Sequence, residues 1–189
     1  MIIGLTGGSG AGKSKISDWF KEKGYKVIDG DKLSRKLCER GEPTLKKIID
    51  AFGEEYLTSD GQLNRKKLGG LVFSDSNALK ILEQITHTAI TEATKKELRG
   101  IRDAVIEGAA LHETEIPALC DFCIFVSCPP QIRLKRIMER DDLTEEYASN
   151  RLSAQKPDDY YRRVCKYEVV NDGEADTTAQ LLSILKQEE

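Results

Sequence analysis

The chain has 189 residues, and 39% of them are apolar, which is enough for one compact domain with a core. It carries 29 basic and 32 acidic residues, a net charge of −3. Because a nucleic-acid binder usually shows a basic excess or stripe, we expect no nucleic-acid partner. No segment approaches the roughly 20 apolar residues that span a bilayer, and the short apolar start lacks the basic stretch of a signal peptide. We therefore expect a cytoplasmic protein without membrane contact. A monomer is a separate expectation.

The first elements predict a strand, a helix and a second strand. Residues 2–6 are an apolar run that ends in glycines, which is typical of a buried strand. Residues 13–23 place apolar side chains at helical spacing, and Gly24 supplies the stop. Residues 25–28 predict the second strand. This order is the opening βαβ unit of an α/β fold.

The following seventy residues predict only helices, so residues 35–100 form a helical insertion in this interpretation. The predicted helices span residues 31–40, 43–53, 65–73 and about 74–99. Strands return at residues 104–106, 123–127 and 167–170, and helices at 130–140 and 177–186. Asp142, three residues before Glu145, predicts the cap of a further helix. Residues 1–34 and 101–189 then form the α/β core with a parallel sheet.

Residues 7–14 carry the strongest chemical signal. Their sequence, GGSGAGKS, fits G-x-x-x-x-G-K-[ST] at every position, with a strand before it and a helix after it. Glycines let successive backbone N–H groups turn around phosphate oxygens, and the helix N-terminus adds its positive end. Lys13 is predicted to reach the β- and γ-phosphates, and Ser14 to present its hydroxyl to Mg²⁺. The predicted ATP-binding residues are Gly8, Ser9, Gly10, Ala11, Gly12, Lys13 and Ser14.

Other P-loop classes fit this sequence less well. A GTPase would carry an N-K-x-D motif, which the sequence lacks, and an ABC-type ATPase domain would be larger. Among the P-loop classes considered, the small-molecule kinases, which carry a lid over the phosphates, fit the sequence best.

Two carboxylates, Asp29 and Asp31, follow the second predicted strand. If that strand neighbours the first one, both can face the γ-phosphate, because ligands gather at the carboxyl ends of parallel strands. Asp31 then suits the base that orients the acceptor hydroxyl and takes its proton. Its position alone equally favours a simple helix cap. We favour a structural role for Asp29.

Three arginines, Arg133, Arg136 and Arg140, have the i, i+3, i+7 spacing of one helix face, and Arg151 follows later. Guanidinium groups suit forked contacts with the oxygens of a transferring phosphoryl group. The alternative is a solvated face paired with neighbouring acidic residues, namely Glu139, Asp141 and Asp142.

Two further polar residues are weaker candidates. Asn171 follows the last predicted strand, where it could border the adenine of ATP or form a plain turn. His87 lies in the middle of a predicted helix, where a packed histidine is commoner than a ligand.

Over residues 1 to about 185 the sequence resembles the dephospho-coenzyme A kinase (dephospho-CoA kinase) family. No motif after the P-loop is decisive alone, but their order and spacing together are specific. They are residues 3–14, Val27-Ile-Asp-Gly-Asp31, Arg35, Gly41-Glu-Pro, Phe52-Gly, Asp60-Gly-Gln-Leu-Asn-Arg65, Leu68, Val72-Phe73, the His87 segment, Leu134-Lys-Arg136, Arg140-Asp-Asp and Gln155.

The resemblance implies a P-loop core with a parallel sheet, a helical substrate-binding insertion and a small lid at residues 136–155. It implies that ATP and Mg²⁺ convert dephospho-CoA to CoA, with Asp31 as the base and Lys13 and Arg136 acting on the phosphates. The expected acceptor contacts are Thr6, Asp31, Arg35, Arg65, His87 and Arg140. Two alternatives stay open: a related kinase of a nucleoside, nucleotide or small metabolite, and a regulatory module that binds ATP without transfer.

Three segments depart from the family pattern. Thr88 stands where the family usually has proline after the histidine, and Gly108-Ala-Ala-Leu-His-Glu113 replaces a Pro-Leu-Leu-Phe-Glu-like segment. Cys165-Lys-Tyr167 replaces Ala-Asp-Tyr. The second departure is expected near the acceptor, whereas the phosphate motifs are unchanged.

Overall fold

The computed structural model describes residues 1–188, which fold around one five-stranded parallel sheet. The strand order is β2-β3-β1-β4-β5, and all four neighbouring pairs are parallel. The strands are β1 (Ile2–Thr6), β2 (Lys26–Asp29), β3 (Ala104–Glu107), β4 (Phe122–Ser127) and β5 (Tyr167–Val170). The predicted α/β class with a parallel sheet is confirmed.

Nine α-helices lie in the described part of the chain. They are α1 (Lys13–Glu22), α2 (Gly30–Leu37), α3 (Pro43–Phe52), α4 (Arg65–Ser74), α5 (Ser76–Glu97), α6 (Pro130–Asp141), α7 (Glu145–Ser153), α8 (Asp158–Val164) and α9 (Thr177–Glu188). Three short 3₁₀ helices span Glu54–Tyr56, Leu111–Glu113 and Ile116–Leu119. None of the helices up to residue 188 combines the length and apolar composition needed to cross a membrane.

Two predictions about helix ends are wrong. The helix predicted from residue 31 begins one residue earlier, and Asp29 caps it. Asp142 does not cap α7: it ends α6 in a left-handed conformation with φ of 51°, and the N-cap residue of α7 is Thr144. Aspartate tolerates that conformation better than most residues, which explains why the chain can turn there.

The strand order also differs from the arrangement on which the argument for Asp29 and Asp31 depended. β3 lies between β1 and β2, with Ile106 in register with Gly4 on one side and Ile28 on the other. The carboxyl ends of all five strands still share one edge of the sheet. That edge now includes Glu107, the last residue of β3.

The main core surrounds the sheet, and the helical insertion has a smaller core of its own. All six residues of β4 are buried, as expected of a parallel strand covered on both faces. Residues of α3, α4 and α5, together with the residue that follows α2, instead form a separate apolar cluster: Cys38, Ile48, Leu68, Val72 and Ala78. This separate cluster is consistent with an insertion at residues 35–100, whose boundaries stay a prediction.

Candidate functional site

The loop between β1 and α1 has the backbone that an anion site needs. Gly10 and Gly12 have φ angles of 78° and 90°, which favour glycine over any other residue. A Cβ atom on Gly12 would also lie 2.1 Å from the amide nitrogen of Asn171. The loop leads into the N-terminus of α1 at Lys13, so backbone N–H groups and the positive helix end face the same space.

Lys13 lies against the loop that it follows. Its Nζ donates to the carbonyl oxygens of Gly7 at 2.9 Å and Gly8 at 3.4 Å. Burial lowers the pKa of Lys13, while the carboxylates of Glu107 and Asp31 act in the opposite direction. The ammonium group therefore stands between the P-loop and two acidic side chains.

Asn171 and Arg136 support the P-loop from behind. The buried Asn171 donates from Nδ2 to the carbonyl of Ala11 at 2.8 Å. Arg136 donates to the carbonyls of Gly10 at 3.2 Å and Asn171 at 3.3 Å, and it also lines the cleft in front of the loop. Asn171 is therefore more than a turn residue, because its side chain contacts the P-loop. A direct contact of Asn171 with the nucleotide stays a prediction.

Arg133 and Gln155 hold the tip of the P-loop. Arg133 is only 7% exposed, and its Nε donates to the carbonyl of Ser9 at 3.0 Å. The Gln155 side-chain oxygen accepts from Arg133 at 2.6 Å and from the backbone N–H of Ser9 at 2.9 Å. The solvated-face alternative is therefore wrong for Arg133 and for the half-buried Arg136, because both contact the P-loop.

For Arg140 both interpretations hold in part. Its guanidinium pairs with Asp141 at 2.7 Å, and it also donates to the Ser9 hydroxyl at 3.3 Å. Arg151 pairs with the same Asp141 carboxylate at 2.6 Å. All three side chains line the cleft in front of the P-loop.

The two aspartates that follow β2 both line the cleft, but they differ in their contacts with the helix backbone. Asp29 is the N-cap of α2, because its Oδ1 accepts the Lys32 backbone N–H at 2.9 Å. Asp31 lies in the first turn of α2, exposed, and lines the cleft together with Lys13 and Ser14. The alternative that Asp31 caps the helix is wrong, and the structural role favoured for Asp29 agrees with its capping contact.

Glu107 is a site residue that the sequence argument missed. Its carboxylate accepts from the Ser17 hydroxyl at 2.5 Å and lies 3.4 Å from the Ser14 hydroxyl. The signal was present, since an apolar run at residues 104–106 ends in an acidic residue at the carboxyl edge of the sheet. Carboxylate and hydroxyl oxygens at this spacing suit a hard cation such as Mg²⁺.

Two adjoining cavities meet at this edge. The larger, of about 770 Å³, lies between the P-loop, α2 and α6, and Arg35 is part of its wall. The smaller, of about 150 Å³, lies between α2, α5 and residues 106–116, and His87 lines it. Asp31 and Glu107 border both cavities, at the place where the two meet.

The remaining predicted acceptor residues occupy different positions. Thr6 is fully buried, with its hydroxyl 3.4 Å from the Ala109 carbonyl, behind the cleft. Arg65 is exposed on α4 and donates to the Arg35 carbonyl at 3.4 Å. The structure thus brings Arg65 beside Arg35 rather than beside His87, and their contacts with the acceptor stay predictions.

Similarity to known proteins agrees with this geometry. A family model described as dephospho-CoA kinase matches residues 1–177. Dephospho-CoA kinases of Bacillus cereus and Shouchella clausii are 36% and 39% identical to the chain, over 98% and 83% of its length and 96% and 82% of theirs.

Solved structures of similar fold cover nearly the whole chain. Dephospho-CoA kinase from Campylobacter jejuni aligns with a TM-score of 0.68 and 25% identity, covering 98% of this chain and 96% of its own. A Thermus thermophilus protein aligns with a TM-score of 0.83 and 28% identity over 100% and 97%. Shikimate kinase from Bacteroides thetaiotaomicron, at 16% identity and a TM-score of 0.53, shares the fold over 98% of each chain. With its P-loop, its acidic strand ends and a family match over most of its length, the chain belongs to the dephospho-CoA kinase family.

Proposed function

We propose that this chain transfers the γ-phosphoryl group of Mg²⁺-bound ATP to the ribose 3′-hydroxyl of dephospho-CoA, giving ADP and CoA. Its family is that of the kinase that performs the last step of CoA biosynthesis. The observation that carries the assignment of residues is the position of Asp31. It lines one cleft with Lys13 and Ser14, and Asp29 rather than Asp31 caps the helix.

The P-loop side binds the nucleotide in this proposal. Backbone N–H groups of residues 8–14 surround the phosphates, and Lys13 leaves the Gly7 carbonyl to contact the β- and γ-phosphate oxygens. Arg136 and Arg140, which line the same cleft, meet the charge that spreads over the transferring group. Asn171 keeps the loop in shape through its bond to Ala11.

Ser14 and Glu107 fit the expected magnesium ion. Mg²⁺ prefers oxygen ligands and is usually held by one or two protein groups together with phosphates and water. The Ser14 hydroxyl and the Glu107 carboxylate provide such a pair, 3.4 Å apart. When bound, the ion neutralises charge on the β- and γ-phosphates.

On the acceptor side, Asp31 orients the 3′-hydroxyl and accepts its proton as the new bond from oxygen to phosphorus forms. The bond from phosphorus to the bridging β–γ oxygen breaks at the same time, and ADP leaves with that electron pair. The smaller cavity beside Asp31, lined by His87, receives the acceptor, and Arg35 stands at the adjoining wall. A monomeric state stays a prediction. A cytoplasmic location stays a prediction.

The test is mass spectrometry of candidate acceptors after incubation with the enzyme and Mg·ATP. Dephospho-CoA should gain one phosphoryl group, and its 3′-deoxy analogue should gain none. Nucleosides, nucleotides and shikimate serve as competing acceptors, and a clear preference for one of them would replace the proposed substrate. ATP binding without turnover on any acceptor would favour the regulatory module.

A further inference from the structure

Asp141 joins two arginines on two different helices. It is the last residue of α6, and its Oδ1 accepts from Arg140 Nε at 2.8 Å. Its Oδ2 accepts from Arg140 Nη2 at 2.7 Å and from Arg151 Nη1 at 2.6 Å. One carboxylate therefore connects the end of α6 with α7.

This charged group lies on the wall of the phosphate cleft. Arg140, Asp141 and Arg151 all line it, as does Lys13. A carboxylate in a site for anions works against binding unless it has another task, because like charges repel. The single negative charge of Asp141 is exceeded by the two positive charges of Arg140 and Arg151, which it contacts.

The two arginines keep donors for a second partner. A guanidinium has five N–H donors in a rigid fork, and Asp141 takes two from Arg140 and one from Arg151. Arg140 is directed to the P-loop as well, through the Ser9 hydroxyl at 3.3 Å. Long side chains that are already held lose less rotamer freedom when they bind phosphate.

We propose that Asp141 is a positioning residue, which fixes Arg140 and Arg151 at the rim of the cleft so that both reach the transferring phosphoryl group. The inference rests on the proposed function, since it needs phosphoryl transfer in this cleft. Hydrogen bonds from Arg140 hold the pKa of Asp141 below its ordinary value, which keeps the carboxylate charged.

The test begins with Asp141→Asn in the full chain. We expect kcat with dephospho-CoA to fall roughly 10- to 100-fold, the scale of a misplaced catalytic contact. The Kd for ATP, measured by calorimetry without acceptor, should change much less, because charge develops on the phosphoryl oxygens only during transfer. Asp141→Glu, which keeps the charge, should recover part of the loss in kcat.

Asp142→Asn is the matched control. Asp142 is exposed, its φ of 51° suits asparagine, and it should retain wild-type kcat and ATP affinity. A variant that merely unfolds would show a lower melting temperature in parallel with lost activity. The partial recovery in Asp141→Glu separates positioning from that outcome.

A mutant cycle decides whether Asp141 acts through the arginines. In an Arg140→Ala/Arg151→Ala background, adding Asp141→Asn should cost no further kcat, because nothing is left to position. An equal loss in both backgrounds would overturn the inference, and so would wild-type kcat in Asp141→Asn alone. Wild-type enzyme that leaves dephospho-CoA unmodified would overturn the proposed function instead, and the two failures are therefore distinguishable.

Discussion

The two sides of the cleft, which the proposed function assigns to phosphate and to acceptor, are built in different ways. On the phosphate side, Arg133, Arg136 and Asn171 are buried or half-buried and donate to carbonyl groups of the P-loop itself. On the acceptor side, Asp31 and Arg35 are exposed on α2 and project from a helix that ends after eight residues. The geometry of the phosphate side therefore depends on tertiary hydrogen bonds. The positions of Asp31 and Arg35 on the acceptor side depend on the residue at which α2 begins.

This difference has a consequence for motion. The phosphate side rests on the sheet, whereas α3, α4 and the first half of α5 pack around their own apolar cluster. Leu33 of α2 and Ile90 of α5 pack instead against the cluster that contains the strand residue Ile106. Elements with a separate core can shift as a unit when a ligand binds, and such closure often completes a kinase site. We expect substitutions on the phosphate side to affect every substrate, and those on the acceptor side to affect dephospho-CoA alone.

The largest effect is expected from Lys13→Ala. The substitution removes the cation nearest the P-loop carbonyls, and kcat should fall about 1,000-fold, because phosphoryl transfer depends on positioning and electrostatics. Steady-state kinetics with saturating dephospho-CoA measures it, and Lys15→Ala on the exposed face of α1 is the control. Retention of more than about a tenth of the activity would contradict the role of Lys13.

A second test compares the two aspartates after β2. Asp31→Asn should fold normally and bind ATP but lose at least ~100-fold in kcat, the low end for a missing general base. Asp29→Ala should do the reverse, lowering the free energy of unfolding by about 1 kcal/mol through the lost cap, with kcat nearly kept.

Thermal unfolding and kinetics on both variants separate stability from catalysis. If Asp31→Asn phosphorylates dephospho-CoA at close to the wild-type rate, Asp31 is not part of the mechanism.

Arg136→Lys tests whether Arg136 acts on phosphate or only supports the loop. Lysine keeps the charge but loses the planar fork, and we expect kcat to fall about tenfold, or ~1.4 kcal/mol. Lys135→Ala, one residue away and 77% exposed in its side chain, should change nothing. A lower melting temperature with unchanged kcat would show that the bonds to the Gly10 and Asn171 carbonyls are its whole function.

Local features of the phosphate side could be predicted from the sequence. The backbone of the P-loop was predictable from its motif, because the two fixed glycines, Gly7 and Gly12, have positive φ angles of 145° and 90° that favour glycine. The strands were predictable as well, since a strand covered on both faces is a nearly continuous apolar run.

Tertiary relationships could not be predicted in this way. Nothing local indicates that β3 inserts between β1 and β2, and this order is what brings Glu107 beside Ser14. A cap at Asp31 requires a helix that starts at residue 32, whereas α2 starts at Gly30 and Asp29 caps it. Helix boundaries assigned by different criteria differ by one or two residues, so a sequence pattern does not resolve this shift.

His87→Ala tests the acceptor side at a greater distance from the phosphates. His87 lines the smaller cavity, and loss of one contact there should raise the KM for dephospho-CoA roughly tenfold, as expected for an unpaired polar group. The Kd for ATP should stay the same. Thr88→Ala is the control on the same helix, because Thr88 is exposed and its hydroxyl bonds the Gln84 carbonyl. Equal KM values in wild type and His87→Ala would move the acceptor out of this cavity.

The smallest effect concerns Thr94, a buried residue of α5 whose hydroxyl has no hydrogen-bond partner within residues 1–188. Valine has nearly the same shape and the same branching at Cβ, so Thr94→Val removes the unsatisfied hydroxyl without opening a cavity. We expect the free energy of unfolding to rise by about 1 kcal/mol in a urea titration, with kcat and both substrate affinities unchanged. Thr88→Val, which exchanges an exposed and hydrogen-bonded hydroxyl on the same helix, should bring no gain. Destabilisation by Thr94→Val would mean that the hydroxyl is satisfied, for example by an internal water, and that this part of the insertion is more polar than its packing suggests.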